Sequence, residues 1–338
     1  MTPGRVGRVV VVATSPRLPV GLLTAAAWDV LRASPVLVGA ADHRQLPALR
    51  SVGVAVDVVT DADPAAVSAL LHGRALAGAD VVWLAAPGAD DALVRALGRL
   101  CMVPPTVVLE ILHGSYDPPG ARLLDVVSVM DRLRSPGGCP WDAQQTHESL
   151  KPYLLEETYE AYDALETGDL LALREELGDV LLQVAFHARL AEEADPPWSI
   201  DEVATDLVDK LVRRHPHVFA GAPAGDHGAT WDAIKAAEKG RTSVTDGVPL
   251  SQPALSLAAK LQKRASRLGA PLSSYGGIGG QLWELVARCR EAGLDPEVEL
   301  RIVARTYRDR LAQIERDVRT DGGDPAGLSE EQWEQRWS

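Results

Sequence analysis

The chain has 338 residues, of which 46% are hydrophobic and 24% charged, and a formal net charge of −13 at pH 7. The length implies more than one core, and the acidity excludes a general nucleic-acid binder, whose phosphate contacts need clustered Lys and Arg, though a polyphosphate can still bind through divalent cations. No apolar run reaches the ~18–20 residues of a membrane helix, no signal-peptide core forms before Ala13-Thr14-Ser15-Pro16, and three scattered cysteines (Cys101, Cys139, Cys289) argue against a disulfide framework or thiolate zinc site, so a reduced cytoplasm is expected.

Residues 1–118 alternate strand and helix: strands at Val9–Ala13, Val36–Gly39 and Val81–Ala85, helices at Leu22–Ala33 and Ala66–Leu76. An α/β domain is expected. The stretch resembles the tetrapyrrole-methylase fold, which opens with a glycine-rich turn after its first strand. Here Ala13-Thr14-Ser15-Pro16 stands at that turn, where close approach to a cofactor would need residues without side chains. Ala86-Pro87-Gly88-Ala89-Asp90 keeps only part of the later pattern. The domain is therefore read as a structural or partner-binding remnant, with an S-adenosylmethionine-dependent methyltransferase as the alternative.

From Leu123 the pattern becomes that of long amphipathic helices. Leu123–Met130 starts one, which Pro136-Gly137-Gly138-Cys139-Pro140 breaks. A helix through Leu154, Tyr159 and Leu165 follows, Thr167-Gly168-Asp169 turns the chain, and a second helix runs from Leu170 to about Glu192 with Leu173, Leu177, Val180, Leu181 and Val184 on its apolar face.

The two helices carry Glu156-Glu157-Thr158-Tyr159-Glu160 and Glu175-Glu176-Leu177-Gly178-Asp179, each with an acidic pair three residues apart and so on one face. Glu160 and Glu176 lie eight residues either side of Gly168, and Glu157 and Asp179 eleven either side. At about 1.5 Å per residue, an antiparallel hairpin folded at Gly168 brings both pairs to one height. A single such motif would read as a solvated helix face; two mirrored about a turn and interleaved with leucines point to a shared site. Clustered carboxylates repel, and an all-oxygen donor set suits magnesium or manganese. The Glu-x-x-His pattern of di-iron bundles is missing.

Together Cys139-Pro140-Trp141-Asp142, the two acidic motifs and Arg213-Arg214-His215-Pro216-His217-Val218-Phe219 resemble the MazG family of nucleoside triphosphate pyrophosphohydrolases over residues 119–245. The resemblance implies an all-α, magnesium-dependent domain whose subunits pair so that hairpins complete four-helix bundles, giving a homodimer or higher oligomer. It implies Glu157, Glu160, Glu176 and Asp179 as metal ligands, with Glu156 and Glu175 nearby. The substrate would be a nucleoside triphosphate, standard or damaged, cut to monophosphate and pyrophosphate by water at the α-phosphorus. Glu156 or one of the ligands would take the proton.

Lys210 and Arg214, four apart on one helix face, suit phosphate contact. Trp231 and Lys235 in the family pattern help bind nucleotide, the indole by stacking and the ammonium as a point charge. Trp141 lines a base pocket or anchors its loop. His215 and His217 are expected to end a helix rather than bind metal.

Residues 250–338 read as a degenerate second copy of the helical domain: Ile278-Gly279-Gly280-Gln281 stands in place of Glu176–Asp179, and Trp333-Glu334-Gln335-Arg336-Trp337 echoes Trp231–Lys235. Its arginine-rich helix Glu297–Val318 reads as a solvated face. With the acidic motif gone, this copy is expected to serve assembly, stability or regulation. A third reading of the chain, a non-enzymatic scaffold, predicts that neutralising Glu157 and Asp179 abolishes nothing.

Overall fold

The structure is a computed structural model that describes residues 5–60, 63–86, 90–221 and 243–337. It divides into two compact units, Met1–Asp209 and Lys210–Ser338. Among the described residues no helix is long and apolar enough to cross a membrane.

The first unit begins with five strands, β1 (Arg8–Ala13), β2 (Val36–Val38), β3 (Val56–Val58), β4 (Val81–Leu84) and β5 (Val108–His113), in one parallel sheet of order β3-β2-β4-β1-β5. Helices α1 (Ala25–Ala33), α2 (Leu46–Ser51), α3 (Pro64–Leu76) and α4 (Asp91–Cys101) connect them. Unbroken apolar runs in β1 and β4 suit central parallel strands buried on both faces. Their side chains alternate between two cores: Val9 and Val11 pack with Leu71, Trp83 and Leu97, and Val10 and Val12 with Leu31, Leu49 and Leu84.

The structure adds α2, β3, α4 and β5 to the elements legible in the sequence. The strand β3 has only three residues, and β5 leaves Val108 and Ile111 exposed, so neither carries a strong periodic signal. Helix α1 starts at Ala25, not Leu22, because Thr24 caps it by accepting from the Ala27 amide.

The helical part of this unit comprises α5 (Leu123–Arg134), α6 (Pro140–Gln144), α7 (Lys151–Thr167), α8 (Leu170–Ala191) and the greater part of α9 (Ile200–Arg214), within which the division between units falls. Met130, Leu150, Phe186 and Leu190 form its core. The α7–α8 turn has two local causes. Gly168 ends α7 at φ +73°, which a residue without Cβ adopts freely, and Asp169 caps α8 by accepting from the amides of Leu171 and Ala172.

In the second unit, past the short α10 (Pro216–Phe219), lie α11 (Ala254–Ser266), α12 (Gly277–Glu291), α13 (Pro296–Thr320) and α14 (Glu330–Trp337). The first three pack on one another. Only Pro296, Ile314 and Val318 of α13 are buried, so this helix is largely solvated as expected.

Candidate active site

Small residues set the approach of α7 and α8. Ala161 and Ala164 of α7 are buried, and short side chains at a helix contact allow close interaxial spacing. The mirrored acidic motifs then face each other. One oxygen from each of Glu157, Glu176 and Asp179 lies within 4.8 Å of the other two, and all three residues are half-buried. Glu160 is exposed and outside this set of three, yet it shares a hydrogen bond with Glu157 and its charge acts on both Glu157 and Glu176. Glu156 and Glu175 are exposed neighbours whose charges act on Glu157 and Glu176 respectively.

The electrostatics are those of repelling acids. The Glu157 carboxyl is pushed above its ordinary range first by desolvation, then by the charges of Asp179 and Glu160 and by the Glu160 hydrogen bond. Glu176 is raised in the same way, by desolvation and then by Glu160, Asp179 and Glu175. An all-carboxylate set of this spacing fits a hard divalent cation, whose attraction for each carboxylate would outweigh their mutual repulsion and favour the ionised forms.

A clamp that the sequence did not reveal holds the Cys139-Pro140-Trp141-Asp142 segment in place. Gly137 leaves α5 at φ +80°, and a Cβ on Gly138 would lie 2.2 Å from the Leu133 carbonyl oxygen, so the chain can double back only with glycine there. Arg134, its side chain 5% exposed, donates to the carbonyl oxygens of Asp142 and Gln145 and bidentately to Glu193 just beyond α8. Its guanidinium lies 5.8 Å from the centroid of the Phe186 ring. Arg189 adds bonds to Asp131 and Glu193. His147 and His187 stack, their Nδ1 atoms 2.8 Å apart. An arginine in the last turn of a helix ordinarily reads as a solvated charge at the dipole's negative end, so no local signal marked Arg134.

Trp141, half exposed, meets the Tyr153 ring edge-on at 6.1 Å. Tyr153 lies one turn before Glu157 on the same face of α7, about 6 Å along the axis, so the aromatic pair borders the carboxylates. Lys210 and Arg214 occupy the last turns of α9, where both are half-buried. Trp231 and Lys235 lie outside the described residues. His215 does end α9, its Nδ1 2.7 Å from the Leu211 carbonyl oxygen.

The family model for the MazG nucleotide pyrophosphohydrolase domain matches residues 145–219, which includes both acidic motifs. The chain is 53% identical, over 68% of its length and 96% of the relative's, to an uncharacterized 26.1 kDa protein of Streptomyces cacaoi. It is 46% identical to the nucleoside triphosphate pyrophosphohydrolase of Mycobacterium tuberculosis over 59% of this chain and 60% of that one. It is 38% identical to the nucleoside triphosphate pyrophosphohydrolase/pyrophosphatase MazG of Thermotoga maritima over 60% of this chain and 89% of that one. Matches at this identity, reaching nearly the full length of two relatives and carried by a hairpin whose acids converge, mean that the chain belongs to the MazG family of nucleoside triphosphate pyrophosphohydrolases.

Proposed function

We propose that the chain hydrolyses nucleoside triphosphates to monophosphate and pyrophosphate at the α7–α8 carboxylates, acting on the cytoplasmic pool of standard or damaged nucleotides. The observation that carries this reading is the convergence of Glu157, Glu176 and Asp179 from two mirrored motifs. Glu157, Glu160, Glu176 and Asp179 would hold Mg2+, with Mn2+ as a substitute. When bound, the ion supplies neutralisation of phosphate charge and a lowered pKa for water.

The chain's own groups do the rest. Glu156, exposed beside Glu157, would accept the proton of the water that attacks the α-phosphorus, with a ligand carboxylate as the other acceptor. Lys210 and Arg214 bind phosphate oxygens. Trp141, backed by Tyr153, stacks on the base, and Trp231 and Lys235 complete the nucleotide contacts.

The proposed division is 1–118 for the methylase-like domain, 119–245 for the catalytic helical domain and 250–338 for a degenerate helical copy. In the first, Ser15 and Arg17 are bonded to Asp117, and Arg17 also to Asp125, which supports a structural role for the loop after β1. The apolar side of the hairpin leaves Leu154, Leu155, Leu165 and Leu177 exposed. That exposure supports pairing of two copies across the hairpin.

The test is pyrophosphate release from a panel of ribo- and deoxyribonucleoside triphosphates, with and without Mg2+, for the intact chain, Glu157→Gln and Asp179→Asn. Release that needs Mg2+ and is lost in both variants supports reaction and site together. Release that is absent, or equal in the variants, removes the proposal.

A further inference from the structure

The second unit holds a cleft of about 640 Å3 lined by Lys260 and Lys263 of α11, Arg290 in the last turn of α12, and Leu294, Asp295 and Pro296 at the start of α13. Three cations gathered in a chain of net charge −13 call for a physical reason. Lys260 and Lys263 are three residues apart on one helix and so share a face. Among the described residues, neither lysine nor Arg290 forms a salt bridge with a carboxylate.

Two features make the cleft a built one. Gln262, fully buried at 0% exposure, donates its Nε2 to the Trp283 carbonyl at 2.9 Å and accepts from Arg290 Nη1 at 3.3 Å. Arg290 is thereby held by a side chain that is itself locked. The one acid in the lining, Asp295, accepts from the amides of Glu297 and Val298 as the cap of α13, so its carboxylate is engaged in helix capping. The positive end of the 25-residue helix α13 adds to the field.

We propose that this cleft binds the phosphate chain of pyrophosphate or of a nucleotide directly, without a metal ion, through Lys260, Lys263 and Arg290. Three convergent cations suit a multiply charged anion better than a single carboxylate, and the volume falls within the range of small-ligand pockets. Leu294, half exposed at the rim, offers apolar surface to a ribose or base. The site is made from the second unit alone and has the opposite electrostatic logic to the α7–α8 carboxylates, which need a cation before they can meet phosphate. A degenerate helical copy would thus retain a ligand of the substrate or product class in a regulatory capacity.

The experiment is isothermal titration of the intact chain with pyrophosphate and, separately, with ATP, both in excess chelator so that the carboxylates hold no divalent ion. One saturable site per chain is expected. Affinity should fall roughly tenfold for each lysine removed in Lys260→Gln and Lys263→Gln, and should be unchanged in Glu157→Gln. Both lysines are exposed, so their replacement leaves the core intact; Arg290→Gln is read only alongside a melting curve. ATP binding more tightly than pyrophosphate identifies a nucleotide site, and equal affinity identifies a site for the phosphate chain alone. No saturable binding of either probe, or equal affinity in the double lysine variant, overturns the proposal. Because no turnover is measured, this result is independent of the hydrolysis assay.

Discussion

Arg134 and Glu193 meet in a two-pronged contact, with Nε and Nη2 of the guanidinium donating to the two carboxylate oxygens at 3.1 and 2.8 Å. The same guanidinium holds the carbonyls of the segment that presents Trp141. Arg134→Ala should therefore lower stability by about 2 kcal/mol, through lost charge-assisted bonds and unsatisfied carbonyls, as read by urea denaturation. Arg134→Lys should recover little of it, because an ammonium cannot reproduce the planar fork.

Acid should weaken the same region. Glu193 is held below its ordinary carboxylate range, chiefly by its hydrogen bond from Arg134. A depressed folded pKa contributes stability that is present above the unfolded value of about 4.3 and lost as pH falls through the folded value. His187 is also lowered, by burial and by His147, so its share is present above about 6.5 and declines below it. Melting temperature should decline first below about pH 6.5 and again below about pH 4, and Glu193→Gln should make the second decline shallower, leaving the shares of Asp117, Asp125 and Glu202, which are also held below their ordinary range.

The carboxylate cluster should behave in the opposite sense. Glu157 and Glu176 are raised by desolvation and by neighbouring acids, so their contribution is present below the unfolded carboxylate value and lost as pH rises through the folded one. In chelator at neutral pH, Glu157→Gln should melt higher than the intact chain. Adding Mg2+ should raise the intact chain's melting temperature and move the variant less, since a ligand stabilises only the state that binds it. Equal responses to Mg2+ would exclude Glu157 from the metal site.

Trp141→Ala should raise KM by roughly fivefold or more with a smaller change in kcat, given about 1 kcal/mol or more for stacking on one aromatic. Steady-state kinetics on the best substrate of the panel would check it. A fall in kcat with KM unchanged would instead mark Trp141 as an anchor of its loop.

Gly138→Ala should be among the more damaging single-atom-group changes in the helical part. Its Cβ would meet the carbonyl oxygens of Leu133 and Arg132 at 2.2 and 2.4 Å, both backbone atoms that cannot yield. A loss of about 2 kcal/mol or more is expected, measured against Gly178→Ala, whose Cβ meets nothing within 4 Å.

S-adenosylmethionine should leave the melting curve unchanged. Thr14 and Ser15, where the methylase-like pattern calls for glycine, are buried, and Ser15 is bonded to Ser115 and Asp117. A saturable shift with this ligand would restore the methyltransferase reading.

What the sequence by itself determined is local in origin. Period-3.6 apolar spacing, the Gly168 and Asp169 caps and the equal offsets of the acidic pairs are properties of segments a few turns long, so they located α7, α8 and the facing carboxylates before any tertiary contact was known. The runs of β1 and β4 were legible for the same reason. Short or edge elements such as β3 and β5 were not, since their stability comes from pairing with strands distant in the chain.

The tertiary structure alone decided the rest. It brought one oxygen each of Glu157, Glu176 and Asp179 together, with Glu160 hydrogen-bonded beside them, because side-chain reach across two packed helices depends on their spacing and rotation. It buried Arg134 between the ends of α5 and α8, and it drew Lys260, Lys263 and Arg290 around one cleft. Burial and charge proximity arise when segments far apart in sequence pack together, and those two quantities set what a carboxylate, a guanidinium or an ammonium can do.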